Sequence, residues 1–181
     1  MTVGGLGSRL AHVHQDVSLD GRGAHAEVNG LSFATGKQRL SYYTQQSHRA
    51  PDTHSDLLYR NVLRDQARVI WRGMIQVDKV AQKTDGYQIS QSLLLDDDSQ
   101  FLAKPELEIY ADDVACSHGS TSGAIDEDGL FYLRARGLPR GIAEDLLTIA
   151  FIAEAVQEVE DESLQEEIVE RVEAWLFRRR D

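Results

Sequence analysis

Ala24–Phe33 reads AHAEVNGLSF, Val69–Val77 reads VIWRGMIQV, and Leu107–Cys116 reads LEIYADDVAC. In each run the apolar residues alternate with polar ones or form short clusters, the period-two pattern of an extended strand. Gly, Asn and Asp punctuate the stretches around them, with turn signals at Asp20-Gly21, Asn29-Gly30, Asp85-Gly86 and Asp128-Gly129. Pro51 and Pro105 are the only prolines before residue 139. Few backbone N–H groups are therefore missing, and little prevents long sheets. No sustained helical period runs between residues 10 and 125. That argues against a strand–helix–strand array and leaves a sandwich, a barrel or a β-solenoid. No repeat of about 20–30 residues is visible to choose among them.

Beyond residue 133 the pattern changes. Pro139 suits a first helical turn, where its missing N–H would go unpaired anyway. Ile142, Leu146, Ile149, Ala150, Ala153 and Val156 then follow at helical spacing. Glu160, Asp161 and Glu162 break the run. Ser163 and Glu166 form an S-x-x-E capping box, in which each side chain satisfies the other's backbone N–H. Leu164, Ile168, Val172, Trp175 and Leu176 give a second apolar stripe. Arg178, Arg179 and Arg180 stand where cations favour a helix C-terminus. The expected organisation is a mainly β unit over residues 1–133 and an α-helical hairpin over 134–181. Between them Phe131, Tyr132 and Leu133 are expected to pack at the junction, with Arg134 and Arg136 paired to the acidic helices.

The charge follows the same division. The 181-residue chain carries a net charge of −11. Residues 144–173 hold eleven acids against Arg171 as the one base, so the helices account for nearly all of it. An acidic chain without a basic stripe is a poor partner for nucleic acid. No apolar run reaches the ~18–20 residues that span a bilayer, and no basic segment followed by an apolar one opens the chain as a secretory signal would. Cys116 is the only cysteine and cannot form an internal disulfide. These features fit a reducing, cytoplasmic location.

Most chemical motifs fail on inspection. Gly36-Lys37 ends like a phosphate loop, but Leu31 and Gln38 stand where Gly and Ser or Thr are needed. Gly5-Leu6-Gly7 begins a dinucleotide fingerprint that Leu10 does not complete. Asp96, Asp97 and Asp98 are contiguous, unlike the spaced acids of a calcium loop. No G-x-S-x-G elbow occurs, so no enzyme is expected. Two pairs of metal-ligating side chains remain. His12 and His14, two positions apart, share one face of a strand and read as surface histidines. Cys116 and His118 have the same spacing and offer a thiolate and an imidazole, the ligand types of zinc and iron–sulfur chemistry. Two ligands leave a tetrahedral site half built, so a ligand role for this pair calls for further ligands from a second chain. Otherwise Cys116 is a small buried thiol beside a surface histidine.

The run LEIYADDVACSHGSTSGAIDEDGLFYLRARGL, from Leu107 to Leu138, resembles the signature of the SufB/SufD family. GMIQVDKVAQKTDGYQISQSLLL, from Gly73 to Leu95, and the later segment AEDLLTIAFIAE are similar to the same family. The resemblance implies a right-handed parallel β-helix followed by a C-terminal helical domain. It also implies a scaffold subunit of a complex that assembles iron–sulfur clusters, rather than an enzyme. The C-S-H-G string, with Gly119 after the histidine, and Ser90 and Ser92 in place of an upstream cysteine follow the SufD-type pattern. On that resemblance His118, with Cys116, faces a SufB-type partner, and a nascent iron–sulfur cluster is held transiently between the two subunits. The acidic helices dock a SufC-type ATPase, and no nucleotide binds to this chain itself. Family members are longer at the N-terminus. This chain therefore begins mid-solenoid, and its uncapped end is expected to promote homodimers. The competing readings are a β-solenoid carbohydrate-active enzyme, which needs acids clustered along an exposed groove, and a generic protein-interaction solenoid.

Overall fold

The computed structural model describes residues 1–177. Nine strands come first: β1 (Thr2–Leu6), β2 (Leu10–Leu19), β3 (His25–Ala34), β4 (Arg39–His48), β5 (His54–Leu63), β6 (Arg68–Val77), β7 (Thr84–Leu94), β8 (Gln100–Ile109) and β9 (Val114–Gly123). Three helices follow: α1 (Glu127–Ala135), α2 (Arg140–Gln157) and α3 (Glu162–Phe177). The odd-numbered strands form one sheet in the order β1-β3-β5-β7-β9, and the even-numbered strands form the other, β2-β4-β6-β8. Every pairing is parallel. The chain thus alternates between two sheets and advances by one strand position per coil. This is a parallel β-helix, and it settles the choice that periodicity left open.

The coil repeat exists but is hidden. His25 pairs with His54 and His54 with Asp85, steps of 29 and 31 residues. On the other sheet Arg39 pairs with Arg68 and Arg68 with Gln100, steps of 29 and 32. Corner length varies, and stacked positions differ in size as well as identity, as in Gly30, Tyr59 and Ser90, so no sequence repeat shows. The corners do share one device: Gly23, Asp52 and Lys83 all have positive φ at about the same place in successive coils. Of the four turn signals only Asp20-Gly21 lies at a corner. Asn29-Gly30 and Asp85-Gly86 lie within strands, and Asp128-Gly129 lies in α1. Gly30 is there for close approach, since a Cβ on it would stand 2.3 Å from the Tyr59 ring.

Stacking in register places equivalent side chains about 4.8 Å apart. The interior is therefore built as ladders. Leu40, Tyr42, Leu57, Tyr59, Val69 and Trp71 form the apolar part. A polar ladder runs beside it: Ser32 Oγ donates to Asn61 Oδ1 at 2.6 Å, and Asn61 Nδ2 donates to Ser90 and Ser92, both at 3.1 Å. A second core lies outside the coils. Leu31, Phe33, Val62 and Leu93 project from the outer face of the five-stranded sheet against Ile152, Ala155 and Val156 of α2 and Ile168, Val172 and Trp175 of α3. Trp175 also packs against Phe33 with the rings tilted at 58° and lies under the Arg64 guanidinium at 3.9 Å.

The helical segment differs from its sequence reading in several places. A further helix, α1, occupies Glu127–Ala135, capped by Asp126, whose carboxylate accepts from Asp128 N–H. Phe131 and Tyr132 lie on it at 75% and 56% exposure rather than packed at a junction. Among the described residues neither Arg134 nor Arg136 forms an ion pair; Arg136 stacks on Tyr132. Pro139 is the cap residue before α2, not its first turn. The cap of α3 is Asp161, whose carboxylate accepts from the N–H groups of Ser163 and Leu164. A charged side chain two residues earlier supplants the expected Ser163–Glu166 box. The stripe Leu164, Ile168, Val172, Trp175 and Leu176 is buried as read except at Leu164. On α2 the buried face is Ala143, Thr148, Ile152, Ala155 and Val156, and Ile142, Leu146 and Ile149 stand exposed. The arginine run 178–180 lies outside the described residues.

Candidate functional site

β9 is the edge strand of the five-stranded sheet, paired with β7 alone. β8 is the matching edge of the other sheet. Together they form the last coil, and among the described residues nothing stacks beyond it. On β7 the residues facing into the coil are Thr84, Gly86, Gln88, Ser90 and Ser92, all buried. Their register partners on β9 are Val114, Cys116, His118, Ser120 and Ser122. The two-residue spacing therefore places Cys116 and His118 on one side, as the sequence requires, and that side is the inward one. Because the coil is terminal, its inward side is also the open end of the solenoid. His118 is exposed and Cys116 half-buried.

The neighbours of the pair are specific. Cys116 packs at the edge of a small cluster of Ile75, Val77, Ala81 and Ala111. Its register partner is Gly86. A Cβ on Gly86 would meet Cys116 Sγ at 3.3 Å, Ile75 Cγ2 at 3.4 Å and His48 Nε2 at 3.5 Å. The sulfur thus rests over the one position of β7 that carries no side chain. Beneath it His48 is fully buried, with Nδ1 2.8 Å from Thr53 Oγ1 and Nε2 2.8 Å from Ser55 Oγ. Burial lowers the His48 imidazole to a pKa of about 4, with His54 adding to the effect and Asp85 opposing it. It is neutral at physiological pH. Beside His118, Gln88 crosses the coil and donates from Nε2 to the carbonyls of Gly73 at 3.3 Å and Glu106 at 3.1 Å. Gln88 fastens the two sheets together just behind the open end.

Burial pushes the Cys116 thiol above its ordinary value; a hydrogen bond from the Gly86 backbone opposes this, and the Asp85 carboxylate reinforces it. The thiol is thus held protonated, and it becomes a ligand only when a metal ion displaces its proton. Among the described residues no three His, Cys, Asp or Glu side chains gather so as to hold a metal ion. One thiol and one imidazole at an open end supply two of the four positions of a tetrahedral site.

The other sequence candidates fall elsewhere. His12 and His14 share the outer face of β2, where both rings pack on Tyr43 at centroid distances of 4.9 and 4.7 Å. Asp96, Asp97 and Asp98 lie at a corner, where Asp96 accepts from Asp65 N–H at 2.7 Å. Sequence reasoning missed Gly86 and His48 because their relation to Cys116 depends on the coil length; the 30-residue step from Gly86 to Cys116 was the available signal. It also assigned nearly all of the net acidity to the helices. The outer face of the five-stranded sheet in fact carries a groove of about 420 Å³, lined by Glu27, Asp56, Glu154 and Glu158 among others.

Residues 1–151 match the family model described as SUF system FeS cluster assembly, SufBD core domain. The chain is 33% identical over 167 residues to the iron-sulfur cluster assembly protein SufD of Escherichia coli, covering 92% of this chain and 40% of that one. It is 31% identical over 176 residues to an iron-sulfur cluster assembly SufBD family protein of Mycobacterium leprae, covering 93% of this chain and 45% of the relative. A SufBD family protein of Synechocystis is 30% identical over 160 residues, with 88% and 35% covered. The chain spans less than half the length of these relatives.

Proposed function

Because this chain belongs to the SufBD family of iron–sulfur cluster assembly proteins, we propose that it is a non-enzymatic scaffold whose last coil holds one half of a site for a nascent cluster. The observation that carries this reading is the position of Cys116 and His118. They share the inward side of an edge strand, at an end of the solenoid that no further coil covers among the described residues. A SufB-type subunit docking its own strands against β8 and β9 would bring further ligands to the same point. Unpaired edge groups make such strand addition favourable. The cluster is cargo here, held transiently between the two subunits.

In this mechanism each residue has a separate task. His118 offers an exposed imidazole. Cys116 stays a neutral thiol until iron binds, which protects it from oxidation between cycles. Gly86 leaves room for the sulfur, and Gln88 fixes the separation of the two edges. The helices would dock a SufC-type ATPase. The exposed stripe Ile142, Leu146 and Ile149 on α2, with Phe131 and Tyr132 on α1, suits that contact. The opposite face of α2 packs directly on β3 and β5, so a movement of the helices would be passed to the coils. No helix among the described residues is long and apolar enough to cross a membrane, and a cytoplasmic setting agrees with the cysteine usage.

The test is anaerobic co-expression with SufB-type and SufC-type subunits, followed by iron and sulfide analysis of the purified complex. His118→Ala should leave the complex assembled and reduce its iron and sulfide at least fivefold. Unchanged iron and sulfide in an intact complex would remove His118 from the site.

A further inference from the structure

The outer face of the five-stranded sheet is divided. Toward the C-terminal ends of the strands it lies under α2 and α3; toward the N-terminal ends it is open. On the open part, register sets His25, His54 and Asp85 side by side across β3, β5 and β7, with Glu27, Asp56 and Tyr87 in the next outward row. Five of these six positions carry imidazoles or carboxylates. The His25 and His54 ring centroids are 4.7 Å apart. Each imidazole is turned to its own carboxylate: His25 Nε2 lies 3.1 Å from Glu27 Oε1, and His54 Nδ1 lies 3.4 Å from Asp85 Oδ2. One nitrogen of each ring, His25 Nδ1 and His54 Nε2, is left over from these contacts. An imidazole whose other nitrogen is held by a carboxylate is the arrangement that orients histidine toward a metal.

We propose that His25 and His54 form a binding point for a first-row divalent metal ion of the Fe2+ or Zn2+ type, oriented by Glu27 and Asp85 and separate from Cys116 and His118. The geometry fits such an ion. With metal–nitrogen bonds of ~2.0–2.1 Å, two imidazoles on one tetrahedral ion have centroids roughly 5 Å apart, close to the spacing already present. The ion takes one nitrogen from each ring and water for the rest of its shell, a two-donor point weaker than a full protein site, since no three such side chains converge among the described residues. The charge fits as well. Glu27, Asp56 and Asp85 crowd three carboxylates around two imidazoles, and Glu158 borders the adjoining groove without a basic partner among the described ion pairs. Arg60, the nearest cation lining the groove, is bonded to Glu154. A divalent ion would relieve that repulsion. Imidazole donors select first-row transition ions over Mg2+ and Ca2+, which prefer oxygen.

Co2+ is the probe, since its visible absorption reports nitrogen ligation. The titration uses the full chain carrying Cys116→Ser, His118→Ala, His12→Ala and His14→Ala, which removes the other candidate donors. One Co2+ per chain is expected, with a ligand-field band that excess Ca2+ does not bleach. His25→Ala or His54→Ala added to this background should weaken binding at least tenfold. If the background chain does not fold, calorimetry with Zn2+ on otherwise unaltered chains replaces it. There His25→Ala together with His54→Ala should lower the stoichiometry by one ion. Binding that survives loss of both imidazoles, or that Ca2+ displaces equally well, would overturn the proposal and mark the patch as a plain carboxylate surface.

Discussion

β7 and β9 lie side by side in one sheet and point matching rows of residues into the coil, yet they lead different lives. On β7, Gln88 and Ser90 are fully buried; their register partners on β9, His118 and Ser120, are exposed. Residue type does not account for this. In a solenoid, burial is conferred by the next coil, and the last coil has none. An inward position on the final rung is therefore both pre-aligned by the ladder behind it and open to a partner in front. A rigid, shared site can be placed there at little cost to the fold.

The largest expected effect is on the sealed side of this contrast. Trp71, fully buried in the middle coils, should lose about 3–5 kcal/mol on Trp71→Ala, measured by urea denaturation. His118→Ala should lose no more than about 0.5 kcal/mol, as for an exposed position. Comparable losses from the two substitutions would break the contrast.

His48 gives the next largest signal. Its folded-state pKa of about 4 lies below the ~6.5 of an unfolded histidine. Between those values the unfolded chain binds more protons, so stability is full above pH ~6.5 and falls as the pH drops toward 4. The loss should approach about 3 kcal/mol at ~1.4 kcal/mol per unit. His48→Gln should flatten that part of the stability profile. A slope that persists in the variant would assign it to other groups.

Gly86→Ala sharpens the contrast at the boundary between the two rungs. Its new methyl would sit 3.3 Å from the Cys116 sulfur and tighter than most packed contacts, which should destabilise the fold by about 1 kcal/mol. The sulfur should shift outward, and alkylation of Cys116 should quicken a few-fold. The smallest effect is a shift in pH response. Because burial raises the Cys116 thiol, its alkylation should reach half its maximal rate above pH ~8.5, the midpoint of an unperturbed thiol. A midpoint below that value would mean that the thiolate is stabilised already in the free chain.

The strands and the two long helices were legible because amphipathic period survives in single sequences. AHAEVNGLSF and VIWRGMIQV coincide with β3 and β6 within a residue. LEIYADDVAC spans the end of β8, a corner and the start of β9, since alternation continues through a tight corner. The architecture was not legible from period alone; resemblance supplied it. Coil length drifts between 27 and 32 residues, and the glycines that read as turns at Gly30 and Gly86 serve close packing between coils. The α2 stripe was misassigned because that helix is apolar on two sides. Small residues such as Ala155 face the sheet, while Ile142, Leu146 and Ile149 stand exposed. The pairing of Cys116 with His118 followed from spacing. Their inward direction and the open end did not, because both depend on contacts 30 residues away in sequence.

The account rests on the last rung being covered by a second subunit, and the accessibility of one thiol measures this directly. The alkylation rate of Cys116 should be compared in the free chain and in the complex with a SufB-type subunit, under identical anaerobic conditions. The account predicts that modification of this half-buried, neutral thiol is slow but measurable in the free chain and at least tenfold slower again in the complex. Equal rates in the two states, with the complex shown to be intact, would contradict it.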